Sequence, residues 1–493
     1  MGHLCIMDWF ATLIVYAYFG ILLALSVYGL HRYFILYLFY RYYKRRPPVI
    51  APRLDPAEYP TVTVQLPLYN ELYVARRVIE AAAALRYPRH LLRIQVLDDS
   101  TDETCAEARA AVDELRARGF QAEYRPRVDR TGFKAGALKA GLEAIDDELV
   151  AVFDADFVPP PDFLENTVPY FKDEKVGMVQ TRWGYLNRDY SLLTRVQSIL
   201  LDGHFVLEHT ARSRSGRFFN FNGTGGLFRR RAILESGGWE GDTLTEDLDL
   251  SYRTQLHGWK FVFLPEVECP SELPVDIYGF KNQQHRWTKG SIQVGRKLLG
   301  RIWRSDVPLK IKLEATFHLS ANLSYLLLVL LSVLMPLSVV FRSQAGLHGS
   351  MWIEALVFGM TTASIFVFYS VAQRELYPDW KWRARDIPFI FALGIGMCIN
   401  NAWAVSEALL GYNSPFVRTA KYRIEKVRDH WKGKIYRSVR KPSFYIEAAL
   451  SLYMVLAMAA IVVTGNWAAT PYVMLFVAGY LYVFGLSVLH GRR

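Results

Sequence analysis

The chain has 493 residues, enough for one large domain or two or three of ordinary size. Hydrophobic residues make up 52% and aromatic residues 14% of the chain, which excludes a largely disordered protein. Long uncharged apolar runs lie toward both ends, whereas the middle has the composition of a soluble enzyme. The formal net charge is +11, but the basic residues cluster beside the apolar runs, so they indicate membrane flanks rather than nucleic-acid binding.

Five apolar runs predict membrane-spanning segments, because a span needs about 20 mainly apolar residues. They are residues 12–39, 317–341, 353–372, 446–464 and 470–489. The first run is too long for a signal-peptide core and precedes the basic residues Arg41, Lys44, Arg45 and Arg46. We therefore predict a retained anchor with its N-terminus outside, followed by a domain in the reducing cytosol. The four cysteines contain no CxxC pair, which predicts neither a zinc site nor a disulfide framework.

Residues 387–410 are also apolar enough to span, but they precede the most basic loop of the chain. They contain four notable polar residues, Asn400, Asn401, Ser406 and Glu407. If this segment crossed the membrane, the basic loop would face outward, so the positive-inside bias favours an interfacial or re-entrant helix. The predicted domains are an anchor at 1–40, a cytosolic domain at 41–315 with interfacial helices near 278–312, and a membrane domain at 316–493.

The middle of the chain alternates short β-type runs with helical patterns. The predicted strands are 61–66, 93–97, 149–153, 176–180 and 260–264. The predicted helices are 73–85, 101–118 and 134–144. This order predicts a mainly parallel α/β sheet, whose ligand site lies at the carboxyl ends of the strands.

Acidic pairs end two of the predicted strands. Asp98 and Asp99 follow the second strand, and Asp154 and Asp156 follow the third. Residues i and i+2 of an extended chain point to the same side, so Asp154 and Asp156 can jointly hold one hard divalent cation that bridges a diphosphate. An isolated DxD is more often a turn or a helix cap. Two acidic pairs at neighbouring strand ends favour the metal site.

Thr245, Glu246 and Asp247 precede a helical pattern. Thr245 fits a helix N-cap, with acidic residues in the first turn favoured by the helix dipole. A carboxylate at Asp247 also suits a general base that removes a proton from an acceptor hydroxyl. Spacing alone leaves the two interpretations open.

Two further motifs suit phosphate and sugar binding. In the segment 283–287, Arg286 offers a fork of donors for phosphate oxygens and Trp287 offers a flat face for a sugar ring. The same pair also suits an interfacial helix anchor. Lys134 begins a predicted helix after Gly132 and Phe133, where backbone N–H groups and a cation can meet phosphate.

The combination resembles the processive membrane glycosyltransferases of family 2, the cellulose synthases, hyaluronan synthases and their relatives. Four motifs occur in the family's order, Asp98-Asp99, Asp154-x-Asp156, Thr245-Glu246-Asp247 and Gln283-Gln284-x-Arg286-Trp287. Segments 129–138, 221–226 and 271–274 are most similar to the plant cellulose synthase-like mannan and glucan synthases. The resemblance is strong over residues 55–300. It implies a GT-A-type α/β domain inserted between transmembrane helices.

The resemblance implies roles residue by residue. Nucleotide-sugar binding falls to Tyr69, Glu71, Asp99, Lys134, Asp154, Gln283 and Arg286. Asp247 is the implied general base, accompanied by Glu246, and the implied metal ligands are Asp154 and Asp156 for Mg²⁺ or Mn²⁺. Acceptor binding falls to Trp287, Asn222 and Thr224. The loop 411–445 is similar to a gating loop through Phe416, Thr419 and Lys421, although its third motif position is Arg418 rather than Val.

The implied function is processive, inverting polymerisation of a hexose into a β-linked glucan or mannan that leaves through the membrane. UDP-glucose is slightly favoured over GDP-mannose as the donor. Asn322, Tyr325 and the polar residues of 387–410 either line the exit path or pack helices together. Accessory export proteins are conceivable partners. The membrane is a bacterial inner membrane, or a Golgi-type membrane in a eukaryote.

Two alternatives remain open from the sequence. One is a non-processive transferase that adds a single sugar to a lipid such as ceramide or a polyprenyl phosphate, since such enzymes share the DxD motif. Spans on both sides of the catalytic domain and the gating-type loop favour processivity. The other is a membrane scaffold or transporter with a degenerate domain, which the intact acidic motifs disfavour.

Overall fold

A sheet domain lies between a long first helix and a group of apolar helices in the computed structural model, which describes residues 2–43, 54–342, 351–412, 417–436 and 443–491. The strands are β1 Val62–Leu68, β2 Leu92–Asp98, β3 Gln121–Pro126, β4 Leu149–Val152, β5 Val176–Tyr185, β6 Gly226–Arg229 and β7 Lys260–Ser271. The helices before β7 are α1 Gly2–Tyr43, α2 Ala75–Ala83, α3 Thr104–Ala117, α4 Phe133–Glu143, α5 Phe163–Thr167, α6 Leu192–Asp202, α7 Thr210–Arg214, α8 Arg230–Glu235 and α9 Glu246–Leu256. Those after it are α10 Ile277–Arg304, α11 Leu309–Ser320, α12 Leu323–Phe341, α13 Met351–Leu376, α14 Trp380–Arg383, α15 Ile387–Leu410, α16 Ser443–Val463 and α17 Thr470–Gly491.

The seven strands form one sheet in the order β3-β2-β1-β4-β6-β5-β7. Neighbours run parallel except β6, which is antiparallel to both β4 and β5. The predicted mainly parallel α/β sheet is therefore confirmed. Strands β1, β2 and β4 end side by side, so the residues that follow them meet at one edge of the sheet.

The central strands could be predicted from the sequence because they are buried. Every residue of β4 is buried, and β1 is buried except at Pro67, because helices cover both faces of a parallel sheet. Strand β3 is only partly buried and β6 has four residues, the first of them a glycine. Neither of these two strands gives a long apolar run, and the sequence interpretation missed both.

A π-helical segment at Gly203–His209 joins α6 to α7. Such wide turns are rare and occur often at functional sites. A Cβ on Gly203 would lie 2.6 Å from Cε1 of Tyr369, so only glycine allows this helix to pack so closely on α13. The segment also packs against α1.

Six helical stretches within the described residues are long and apolar enough to cross a membrane, so the protein is an integral membrane protein. They are Trp9–Tyr43, Leu323–Phe341, Glu354–Leu376, Trp380–Leu410, Ser443–Val463 and Trp467–Gly491. Five of them contain or overlap the predicted spans. The predicted span 317–341 starts too early, because the chain turns near Asn322 between α11 and α12. By length and composition Trp380–Leu410 could also cross a membrane. The interfacial placement of residues 387–410 therefore stays a prediction.

The polar residues of α15 largely serve helix packing. Nδ2 of Asn400 donates to the carbonyl oxygen of Lys281 at 3.0 Å. Glu407 accepts hydrogen bonds from Nζ of Lys289 at 2.9 Å and from Nε1 of Trp403 at 2.8 Å. The contacts with Lys281 and Lys289 fix α15 against α10, which continues from the sheet domain, whereas the bond from Trp403 lies within α15.

Breaking the buried ion pair between Lys281 and Glu447 should destabilise the protein strongly. Nζ of Lys281 lies 2.6 Å from Oε1 of Glu447, and both side chains are 2% exposed. Lys281→Met leaves a buried carboxylate without its cation, so we expect the free energy of unfolding to fall by about 3–5 kcal/mol. The double variant with Glu447→Leu should recover much of the loss. Thermal unfolding tests this, with Arg86→Met in the exposed Arg86–Glu165 pair as a control worth at most about 1 kcal/mol.

Candidate active site

A cavity of about 180 Å³ opens where β1, β2 and β4 end, and we refer to it as the sheet-edge cavity. Helices α9 and α10 and the loop after residue 417 complete its walls. The predicted site residues that line it are Tyr69, Glu71, Asp99, Lys134, Asp154, Asp156, Asn222, Glu246, Asp247, Gln283, Arg286, Trp287, Thr419 and Lys421. Residues more than 350 positions apart in sequence are thus brought together, while their individual roles stay predictions.

Two predicted residues are absent from the described lining of this cavity. Thr224 is fully buried, and its Oγ1 accepts a hydrogen bond from the backbone N–H of Asp154 at 2.9 Å. It therefore supports Asp154 from behind, which departs from the acceptor-binding role expected for it. Phe416 lies outside the described residues.

The paired aspartates face the cavity, and each lies beside a lysine. Nζ of Lys134 lies 2.5 Å from Oδ1 of Asp154, and Nζ of Lys421 lies 2.7 Å from Oδ2 of Asp156. The Asp154 side chain keeps 34% of its surface exposed. Two carboxylates with accessible oxygens two residues apart fit a hard divalent cation.

Lys134 is fixed at the start of α4. Its Nζ also donates to the carbonyl oxygen of Gly223 at 2.9 Å and lies 3.9 Å from Oε1 of Glu246. Burial alone lowers the pKa of this ammonium, but the charges of Asp154 and Glu246 more than offset it and raise the pKa. Lys134 therefore stays a cation in the cavity.

Asp247 lies in the first turn of α9 with its Oδ1 accepting the N–H of Leu248 at 2.8 Å. Burial, and then the charge of Glu246, raise the pKa of Asp247 to about 7. A carboxyl group with a pKa near neutrality suits proton abstraction. The geometry and the pKa favour the general-base interpretation of Asp247.

Thr245 occupies the N-cap position of α9, but its side chain makes no capping hydrogen bond. Its Oγ1 is buried without a hydrogen-bond partner among the described residues. A Cβ on Gly290 would lie 2.5 Å from Cγ2 and Oγ1 of Thr245, so the start of α9 packs tightly on α10. Thr245 is thus the N-cap residue of α9, as predicted, although its side chain packs against α10 and makes no capping hydrogen bond.

Arginines pair with the residues expected near the nucleotide. The guanidinium of Arg130 lies 3.4 Å from the ring centre of Tyr69. Nη1 of Arg418 lies 3.2 Å from Oε2 of Glu71. Burial raises the pKa of Glu71 to about 8, against the opposing charges of Arg418 and Lys421.

Asp99 is held by a bidentate pair with Arg127, whose Nη2 lies 2.6 Å from Oδ2. Sequence reasoning did not predict the arginines that pair with Asp99, Tyr69 and Glu71. They are Arg127, Arg130 and Arg418, of which the last two lie in the segments 129–138 and 411–445. Sequence reasoning also missed Trp183, which lines the same wall. The three arginines lie within or beside motif segments, whereas Trp183 follows the predicted strand 176–180.

A second cavity of about 250 Å³ lies among the apolar helices, and we call it the membrane cavity. Its walls come chiefly from α1, α12, α13, α15 and α17, and most of its lining is apolar. Gln284 of α10 lines it, whereas the preceding Gln283 lines the sheet-edge cavity. Of the residues expected along an exit path, Tyr325 and Asn401 line the membrane cavity. The others do not, namely Asn322, Asn400, Ser406 and Glu407.

Glu240, Asp242 and Asp249 place carboxylate oxygens within 4.8 Å of one another. Nζ of Lys297 lies among them, at 2.6, 2.8 and 3.0 Å from the three side chains. The trio therefore pairs with Lys297 and Arg253 in an ion-pair network that does not line the sheet-edge cavity.

The fold and the sheet-edge cavity define a GT-A-type domain. A family model described as glycosyltransferase like family 2 matches residues 60–290. The matched segment contains all seven strands of the sheet, and the predicted likeness to the cellulose synthase-like enzymes is confirmed by curated relatives. Glucomannan 4-beta-mannosyltransferase 1 of Oryza sativa subsp. japonica is 41% identical over 276 residues, 55% of this chain and 52% of that protein.

Other comparisons agree. Glucomannan 4-beta-mannosyltransferase 2 of Arabidopsis thaliana is 42% identical over 268 residues, 53% of this chain and 50% of that protein. The chain thus spans about half the length of the curated relatives it matches. Mannosyltransferase PcManGT from Pyrobaculum calidifontis, solved in complex with GDP-Man and Mn²⁺, shares the fold with a TM-score of 0.52 and 22% identity. That match covers 83% of this chain and 100% of the solved chain.

Proposed function

We propose that this protein is a processive, inverting β-mannosyltransferase that transfers mannose from GDP-mannose to a growing polysaccharide. The observation that carries this proposal is one cavity in which the half-buried carboxylate of Asp247 meets the paired aspartates, with Lys134 and Arg286 in the same walls. Base, leaving-group cations and metal ligands are the parts that glycosyl transfer to a hydroxyl requires.

The residues divide the reaction between them. Asp247 takes the proton of the acceptor hydroxyl as that oxygen forms a bond to the anomeric carbon. The bond from this carbon to the nucleoside diphosphate breaks on the opposite face, which inverts the configuration. Lys134 and Arg286 hold the negative charge of the departing diphosphate.

Asp154 and Asp156 would hold a divalent cation, Mg²⁺ or Mn²⁺, which supplies further charge neutralisation to the diphosphate when bound. Their accessible carboxylate oxygens support this assignment. Trp287 offers its ring to the terminal acceptor sugar, and its centre lies 6.3 Å from that of Trp183, so two aromatic faces border the acceptor end.

Mannose is the proposed sugar because the curated relatives are named as mannosyltransferases. The slight preference for UDP-glucose drawn from the sequence finds no support in those names. Their designation also favours a 4-linked β-mannan or glucomannan as the product.

Export of the product is proposed from the continuity along α10. Gln283 lines the sheet-edge cavity and Gln284 the membrane cavity, so one helix borders both. A cytosolic catalytic domain follows from the basic flanks of the apolar helices. The alternative function, transfer of a single sugar to a lipid, is supported by the largely apolar lining of the membrane cavity. Such a lining would suit an acyl or polyprenyl chain.

A donor panel tests the proposed function. The purified full-length protein in nanodiscs is given radiolabelled GDP-mannose, UDP-glucose or other sugar nucleotides, and the products are sized and digested with linkage-specific glycanases. We expect a long β-mannanase-sensitive product from GDP-mannose. A lipid-extractable product with a single sugar would show instead that the acceptor is a lipid. Incorporation from UDP-glucose alone would reject GDP-mannose as the donor.

A further inference from the structure

Arg32 of α1 is a charged residue that the proposed mechanism does not use. Its side chain is half-buried and lines the membrane cavity. Every other described residue of that lining is uncharged. Among the described residues, none forms an ion pair or a hydrogen bond with the guanidinium of Arg32. Charged residues among membrane helices are rare and are usually paired, so an unpaired one indicates a site for a ligand.

Arg32 lies at the end of the membrane cavity that is nearer the sheet domain. The face of α1 that lines the cavity consists of Leu22, Leu25, Tyr28, Gly29 and Arg32. At 1.5 Å per residue, Arg32 is about 15 Å along the helix from Leu22. The neighbouring His31 places its Nε2 3.2 Å from Oε2 of Glu314 in α11. Helix α11 packs on α10 and lies outside the six apolar stretches, so Arg32 faces the sheet-domain side.

Helices α12 and α13 give the cavity the same two ends. Tyr325 lies near the start of α12, close to α11, and Leu331 lies about 9 Å further along that helix. Tyr369 of α13 packs on Gly203, whereas Phe358 lies about 16 Å away along α13. The cavity is thus polar and positively charged at the sheet-domain end and apolar at the far end.

A ligand that suits both ends has an anionic head and a hydrocarbon tail. The guanidinium of Arg32 offers several N–H donors in a fork that matches phosphate oxygens. The hydroxyls of Tyr325 and Tyr369, which line the same end, can donate to further oxygens. Leucine and phenylalanine at the far end stabilise a hydrocarbon chain by removing it from water. A neutral sugar would leave the charge of Arg32 without a counter-charge.

We propose that the membrane cavity binds an amphiphile that ends in a phosphate, with the phosphate on Arg32 and the tail among the apolar side chains. The inference goes beyond the proposed function and does not depend on mannosyl transfer. Because export of the polymer is proposed through the same cavity, bound lipid and polymer exclude each other.

Binding of such a lipid can be measured without any sugar nucleotide. The purified full-length protein in non-ionic detergent is given farnesyl phosphate, farnesol or inorganic phosphate, and the bound molecules are counted by native mass spectrometry. We expect farnesyl phosphate to bind at least about tenfold more tightly than farnesol or inorganic phosphate. Arg32→Gln should weaken binding of farnesyl phosphate by about 10- to 100-fold, the loss expected for hydrogen bonds to a charged group. Arg32→Lys should retain most of the binding, because it keeps the charge.

Arg374→Gln is the matched control, because Arg374 is a 48% exposed arginine of α13 that does not line the membrane cavity. It should leave binding of farnesyl phosphate unchanged. Leu25→Trp should weaken that binding, because it fills part of the cavity without altering a charge. The thermal unfolding temperature shows whether each variant is folded. Wild-type binding in Arg32→Gln, or farnesol or inorganic phosphate that binds as tightly as farnesyl phosphate, would overturn the site.

Discussion

Replacing Asp247 by Asn is expected to lower the turnover of sugar transfer by about 10²–10⁴-fold, with GDP affinity kept within about twofold. The amide keeps the shape of the side chain but cannot take the acceptor proton. Single-turnover assays with labelled GDP-mannose, together with GDP titrations, measure both quantities. Asp242→Asn is the control, because Asp242 is 55% exposed and lies in the network around Lys297. Full activity in Asp247→Asn would reject the general-base assignment.

The same assignment predicts the acid limb of the pH profile. Burial and Glu246 raise the pKa of Asp247 to about 7, and a base acts only when it is deprotonated. Transfer should therefore be fast above pH 7 and slow as the pH falls through about 7. Glu246→Gln removes a charge that raises this pKa, so the limb should move to lower pH. An unmoved limb in that variant would contradict the coupling.

Removing the cation or one of its ligands should have an effect of similar size. Chelation with EDTA, or Asp156→Asn, should lower transfer by at least about a hundredfold, since metal ions supply several kcal/mol at a developing negative charge. Added Mn²⁺ or Mg²⁺ should restore the chelated wild type but not the variant. Electron paramagnetic resonance of Mn²⁺ in the presence of GDP gives a second readout.

The acidic trio around Lys297 supplies the control for this experiment. Asp242→Asn should keep the Mn²⁺ signal and the activity, because Asp242 pairs with Lys297 and does not line the sheet-edge cavity. Transfer that persists in strong chelator, together with an active Asp156→Asn, would remove the metal from the mechanism.

The parts of the fold that could be predicted from the sequence were the buried central strands. Strands β1, β2 and β4 are apolar along most of their length because both faces are covered, and the acidic pairs that follow them mark the cavity edge. The edge strand β3 has the polar sequence of an exposed segment and gave no such pattern. The pattern of apolar residues therefore predicted the central strands of the sheet but not the edge strand β3.

The candidate site was predictable as a set of motifs but not as a network. Nothing local in the sequence pairs Asp99 with Arg127 or Glu71 with Arg418, because each pair depends on how distant segments pack. The π-helical turn at Gly203 follows from a contact with Tyr369, more than 150 residues later. Such features become visible only once the tertiary structure is known.

The packing of α1 has a consequence for how the protein is made. This helix packs against α12 and α13, yet roughly 280 residues separate its end at Tyr43 from the start of α12 at Leu323. At about 5–20 residues per second, a ribosome needs roughly 15–55 s to synthesise that interval. During this time α1 resides in the bilayer without its native partners α12 and α13. Substitutions on its packing face should therefore reduce the yield of inserted protein more than the turnover of the molecules that assemble.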